Sequence, residues 1–145
     1  MSSVPRRLLT AAVRDRVDAI ANLTVYLREV APNPPTISAD DLRVLPYAVI
    51  YPSPGVPVDS RFCGDRARLS WTVQVTCVAG DNEAIDPVVD AVTAQLEGWR
   101  PVLPEPHDAL RIGKLRLLND PGPSRRDDDV APARFYVPLI YGLAI

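Results

Sequence analysis

Leu69-Ser70-Trp71-Thr72-Val73-Gln74-Val75-Thr76-Cys77 alternates without a break, with Leu69, Trp71, Val73, Val75 and Cys77 on one side and Ser70, Thr72, Gln74 and Thr76 on the other. A period of two is the spacing of a β-strand, whose successive side chains point to opposite faces. One of those faces is oily and the other carries hydroxyls and an amide, so the sheet is to be covered on one side.

After Gly80 the apolar period lengthens. Ile85, Val88, Val89, Val92, Leu96 and Trp99 form a helical stripe, with Asp81 or Asn82 as candidate cap, Pro87 in the first turn, and Gly98 and Pro101 at the exit. Upstream, Leu9, Val13, Val17, Ile20, Leu23 and Leu27 recur at threes and fours, with Arg7, Arg14, Asp15, Asp18 and Asn22 between them. That spacing predicts a first amphipathic helix ending near Val30, ahead of Pro32. Residues 44 to 51 are β-branched and aromatic and stop at Pro52, which predicts a strand. Two further strands are expected at 110 to 118, with a bulge at Gly113, and at 134 to 145. The 16 prolines punctuate the connections at 32 to 35, 52 to 57, 101 to 106 and 121 to 132.

The predicted fold class is therefore α+β, one domain over residues 1 to 145 in the order α-β-β-α-β-β. Two hairpins with long loops pair into a four-stranded, mainly antiparallel sheet, with both helices packed on one face. The loops at 52 to 68 and 119 to 133 are expected to be mobile until a partner orders them, and the run Arg125-Arg126-Asp127-Asp128-Asp129 reads as a loop tip.

The last strand departs from the one-sided rule. Phe135, Val137, Leu139, Tyr141 and Leu143 lie on one face, and Tyr136, Pro138 and Ile140 on the other. A second cover is needed. A neighbouring subunit resting on Tyr136, Pro138 and Ile140 is the simplest, and a folded-back segment of the same chain is the alternative.

Composition narrows function further. Of 145 residues 47% are hydrophobic and 23% charged, with a formal net charge of -2, which argues against a general affinity for nucleic acid or anionic membrane. No stretch approaches the roughly 20 apolar residues of a membrane helix and no apolar signal core follows Met1, so a cytoplasmic chain without membrane contact is expected. Cys63 and Cys77 make neither a disulfide framework nor a metal spacing. His107, the sole histidine, lies between Pro106 and Asp108 with no nucleophile motif nearby. Asp40 with Asp41, and Asp127 to Asp129, are the only carboxylate clusters, and neighbours in sequence diverge in space. No glycine-rich phosphate loop or nucleophile elbow occurs. The expectation is a non-enzymatic protein with no cofactor and no metal, whose partner-contacting loops carry Arg61, Arg66 and Arg68, and Arg125, Arg126, Asp127, Asp128 and Asp129.

The leading helix, the strand at 69 to 80, the helix Asp86-Pro87-Val88-Val89-Asp90-Ala91-Val92-Thr93-Ala94-Gln95-Leu96-Glu97-Gly98-Trp99-Arg100-Pro101 and the hydrophobic final strand together resemble the tail terminator proteins of long-tailed bacteriophages. The resemblance covers most of the chain and rests on element order and not on reactive residues. It implies a virion assembly protein of the tail neck, put together in the host cytoplasm. Its subunits would form a homohexameric ring on the head-proximal end of the tail tube. Such a ring stops tube polymerisation, contacts the tail tube protein and the head-completion (connector) protein, and lets DNA pass through without sequence-specific binding. The proline content and the loop at 119 to 133 depart from that pattern and leave open which face each loop contacts. Another neck subunit, such as a head-completion or tail-completion protein, shares the same chemistry. A ferredoxin-like module for a small ligand and a metal-dependent hydrolase are the readings from other classes.

Overall fold

The computed structural model describes residues 5–30, 32–59 and 67–145, the side chains of 56–59 and 67–68 excepted. In chain order the elements are α1 (Arg6–Asp18), β1 (Thr24–Leu27), β2 (Tyr47–Pro52), β3 (Val56–Asp59), β4 (Ala67–Ala79), α2 (Ile85–Leu96), β5 (Arg116–Leu117), β6 (Arg125–Asp127) and β7 (Arg134–Ala144). The architecture is α+β, as expected.

The alternating stretch is the spine of the sheet. β4 pairs antiparallel with β7 from Ser70↔Ala144 to Ala79↔Phe135 and, on its other side, with β2 and β3. Trp71, Val73, Val75 and Cys77 stand beside Leu143, Tyr141, Leu139 and Val137 on one face. Onto that face pack Leu9, Val13 and Val17 of α1 and Ile85, Val88, Val92 and Leu96 of α2, closing a single core. Full burial of each large side chain there stabilises by about 1.5 to 3 kcal/mol, so packing holds these short helices more than their own propensity. α1 rests on β1 and α2, and α2 on β4 and β7. Arg16 ties the helices together by donating from Nε to the Gln95 carbonyl at 3.1 Å and lying 5.1 Å over the Trp99 ring.

The four-stranded sheet requires correction. Among the described residues it has seven strands in the order β1-β2-β4-β7-β5, with β3 on β4 and β6 on β7, and it is mainly antiparallel but mixed, because β1 runs parallel to β2. The first helix stops at Asp18 and not near Val30. Asn22 takes a left-handed conformation at φ 62°, and Thr24-Val25-Tyr26-Leu27 then pairs with Tyr47 to Ile50. The pairing partner that β2 offers outweighs a helical spacing carried only by Ile20, Leu23 and Leu27. The strand expected at 44 to 51 begins at Tyr47, because Val44 instead bridges back to Thr36. Of the strand expected at 110 to 118, only Arg116 and Leu117 pair with β7. Ile112 and Leu115 are both buried by a hooked chain, in which Gly113 N donates to Ala144 O and Leu115 N to Trp99 O. The charge run is no loop tip over its first half, since Arg125 to Asp127 pair with Tyr136 to Arg134. α2 follows its expected course, with Asp81 Oδ1 accepting from Glu83 N and Ala84 N ahead of it and Gly98, at φ 75°, turning the chain away behind it.

Candidate interaction surface

The face of the sheet turned away from the helices divides in two. At one end Tyr47, Val49 and Val78 are buried with Val44, and Tyr26, Val30 and Tyr136 pack around them. Val30 and Val44, from the connection between β1 and β2, belong to this second small core. Arg134 completes it, donating from Nη1 to the Tyr47 hydroxyl at 3.0 Å and lying 5.9 Å over that ring, while Tyr26 meets Tyr47 edge-on at 5.5 Å. Burial pushes the Tyr47 phenol above its ordinary value, and Arg134 opposes that shift by favouring the phenolate.

The other end is open. Register places Tyr51 beside Gln74 and Ile140, and Val49 beside Thr76 and Pro138. Ser53 and Thr72 share a 2.8 Å hydrogen bond there, and Gln74 donates to Thr76 at 3.0 Å. Tyr51 and Leu118 are exposed at 41% and 60%, and Leu118 lies over Gly142, where an added Cβ would stand 2.6 Å from its Cδ1. The result is a flat surface of aliphatic and aromatic groups interleaved with mutually bonded hydroxyls and amides.

Pro138 has a local reason as well. β7 is flanked by β6 at Arg134 to Tyr136 and by β5 at Tyr141 and Gly142, leaving a gap between them. Asn119 fills the gap, donating from Nδ2 to the Pro138 carbonyl at 3.1 Å and accepting at Oδ1 from Ile140 N at 2.9 Å. A proline, which has no N–H to offer, sits where no neighbouring strand needs one.

The residues singled out from sequence fall in three places. Tyr136, Pro138 and Ile140 share the open-side face and are half-buried, Tyr136 against the second core and Ile140 on the open part. Arg125, Arg126 and Asp127 form β6 at the sheet edge. Arg126 bonds Asp128 at 2.6 Å and lies 6.0 Å over Phe135, while Asp127 Oδ1 accepts from Asp129 N. Arg61, Arg66 and Cys63 lie outside the described residues, and Arg68 sits in β4 opposite Val58.

The groups weighed for chemistry are dispersed. Asp41 is held by Arg43 in a bidentate pair at 3.0 and 2.7 Å that keeps its carboxyl below the usual range, and Asp40 is exposed. His107 takes part in a turn through its backbone. Cys77 is buried, which pushes its thiol up to about 12. Among the described residues no group of three His, Cys, Asp or Glu side chains is placed to hold a metal, and no helix is long and apolar enough to cross a membrane.

With this geometry in place, the likeness to known proteins is one of structure alone. The fold is shared with a chain from the virion of the native gene transfer agent particle. The superposition has a TM-score of 0.65 and covers 98% of both chains, at 15% identity. A second solved chain aligns over 98% of this one and 96% of its own length, at a TM-score of 0.50 and 20% identity. No protein-family profile and no curated protein matches the sequence.

A feature unseen in the sequence lies on the opposite flank. Arg6, Arg7 and Arg14 of α1 and Arg28 after β1 line a groove of about 690 Å³ together with Asp15 and Asp18 of the same helix, Pro52 and Pro54, so that its four cations outnumber its two carboxylates. Arg6 donates from Nε to the Pro54 carbonyl. The i, i+7 spacing of Arg7 and Arg14 was a readable signal, but Arg28 was hidden inside the overlong helix.

Proposed function

We propose that this chain is a virion assembly protein, a tail terminator whose subunits form a homohexameric ring capping the head-proximal end of a phage-type tail tube. The observation that carries the reading is the end-to-end fold shared with a virion chain, 98% of each being covered. It joins the sequence resemblance of the first helix, β4, α2 and β7 to the tail terminators. A tube built by stacking identical rings exposes the same end after every addition, so growth stops only when a different ring covers that end. The work is contact, not catalysis: a sheet backed by two helices on one side offers its other face, with Tyr51, Gln74 and Ile140, to a neighbour. In the ring, the tail tube protein contacts one rim and the head-completion protein the other, with DNA passing through unread.

Deleting the chain and imaging the particles tests this directly. Tails of uncontrolled length, or tails unjoined to filled heads, are the expected outcome. Normal tails on normal heads refute the terminator role. Normal-length tails that fail to join would move the assignment to a head-completion subunit.

A further inference from the structure

The two helices carry opposite charge on one face of the sheet, where they pack side by side. Residues 5–18 hold Arg6, Arg7, Arg14 and Arg16 against Asp15 and Asp18, whereas residues 81–99 hold five acids and no Lys or Arg. Asp81 and Glu97 of those five are paired, with Arg43 at 3.7 Å and Arg116 at 3.6 Å. Glu83, Asp86 and Asp90 are exposed, and no described cation reaches them within ion-pair distance. Asp86 and Asp90 are four apart on α2 and share a side. An acid in the first turn, such as Asp86, is explained by the helix dipole, but Asp90 stands beyond the turn where that effect operates.

The arginine groove and the acidic helix lie towards different edges. α1 lies over β1, and α2 over β4 and β7, so strand order β1-β2-β4-β7-β5 puts the groove at one edge of the sheet and the acidic helix towards the other. Arg28 is held into the groove at a cost. It is a long side chain in the left-handed region, at φ 66°, fixed there by its N–H bond to Ile50 O at 2.9 Å. Strain of this kind persists where the surroundings over-determine it and clusters at binding sites.

We infer that the groove lined by Arg6, Arg7, Arg14 and Arg28 is occupied by the acidic flank of α2, Glu83, Asp86 and Asp90, from a second copy of this chain. Complementary patches on opposite edges make a head-to-tail contact, the kind that closes into rings. The inference rests on the ring reading above and names the residues that set its order and hand. Charge of this sort steers docking and is weakened by salt.

The test uses the full-length chain in three forms: wild type, the pair Arg7→Glu/Arg14→Glu, and the pair Asp86→Arg/Asp90→Arg, with Asp90→Arg alone as a guard against damage at the helix start. Sedimentation at low and high salt reads self-association, and thermal melts check folding. Each charge-reversed pair is expected to weaken association about tenfold at low salt and less at high salt. An equal mixture of the two is expected to restore it, because every contact in an alternating ring then joins opposite charges. Association unchanged in both variants overturns the inference, as does a wild-type chain that stays monomeric at low salt. Retention of duplex DNA that is lost with Arg7→Glu/Arg14→Glu, without any change in assembly, overturns it in favour of a phosphate-binding groove. Sedimentation reads the contact alone, while the terminator role is read from tail length in particles lacking the chain, so the two can fail separately.

Discussion

The two faces of the sheet are made by the same strands, residue by residue in alternation, yet they are built to different ends. Beside the helices, Trp71, Val73, Val75, Leu139 and Tyr141 are at most 1% exposed and belong to one continuous core. One step along each strand, Thr72, Gln74, Thr76, Pro138 and Ile140 are half-buried; Gln74 bonds Thr76, Thr72 bonds Ser53, and Asn119 serves the backbone of Pro138 and Ile140. The first face spends its side chains on the stability of the chain. The second has just enough of its own cover, around Tyr47 and Val78, to stay ordered while leaving the rest available. Substitutions on the two faces should therefore separate folding from assembly.

The largest effect is expected at Trp71, which is fully buried beneath the helices. Trp71→Ala should cost about 3 to 5 kcal/mol and lower association only through loss of folded chain. Its Nε1 has no hydrogen-bond partner among the described residues, so Trp71→Phe removes a buried N–H along with some volume and should cost much less. Urea titrations of both variants check the order. Equal losses would mean that the indole N–H is satisfied in solution.

Next comes an alkaline effect confined to the helix-covered face. Burial raises the Cys77 thiol from 9.0 to about 12, so the folded state keeps a proton that the unfolded chain releases. That contribution is complete below pH 9 and is lost as pH rises from 9 towards 12, at up to about 1.4 kcal/mol per pH unit. Tyr141, also raised chiefly by burial, and Tyr47 act in the same direction. The difference between wild type and Cys77→Ala across that range isolates the thiol, and parallel stability curves would show that it is not protected.

On the edge of the open face, Asn119→Ala removes both bonds that close the ladder at Pro138 and Ile140 and should cost about 1 to 2 kcal/mol. Hydrogen exchange supplies the sharper readout. The Ile140 amide should lose protection while the β4 amides keep theirs.

How much of this was legible beforehand depended on whether a local period agreed with the tertiary partner. β4 and α2 were readable to within a few residues because every position obeyed one period and the flanking Gly80, Gly98 and Pro101 agreed with it. β1 was not, because Ile20, Leu23 and Leu27 fit a helix as well as a turn and edge strand, and nothing local announces that β2 will be there to pair. β6 was masked by charge: Arg125 and Arg126 have no β signal, and the strand exists because β7 offers its edge. The second cover on the last strand is expected from sequence as an either-or, a neighbour or a folded-back segment, and in the folded chain Tyr136 packs against the cluster of Val44, Tyr47, Val49 and Val78. The arginine groove needed three separate segments to come together, and the spacing of Arg7 and Arg14 was its one local sign.

That split fixes the smallest and most telling prediction. Tyr136 and Ile140 lie on the same face of β7, four pairs apart in register with β4, and of the two it is Tyr136 that packs against the second core. Tyr136→Asp would bring a carboxylate against Tyr47 and Val78 and so confound folding with assembly. Ile140→Asp places its charge on the open part, beside Tyr51 and Gln74, where water can solvate it in the free subunit. Its cost to the isolated fold should be about 1 kcal/mol or less, in keeping with substitutions away from a packed core. If a neighbouring subunit or tube ring rests on this surface, the same carboxylate is desolvated without a partner in the complex, a penalty of about 1 to 3 kcal/mol or more, which weakens association about tenfold or beyond. Melting and sedimentation of the one variant then disagree, with near-normal stability and poor assembly. Should both remain normal, the face is free in the assembly, and subunit contacts must run through the charged edges instead.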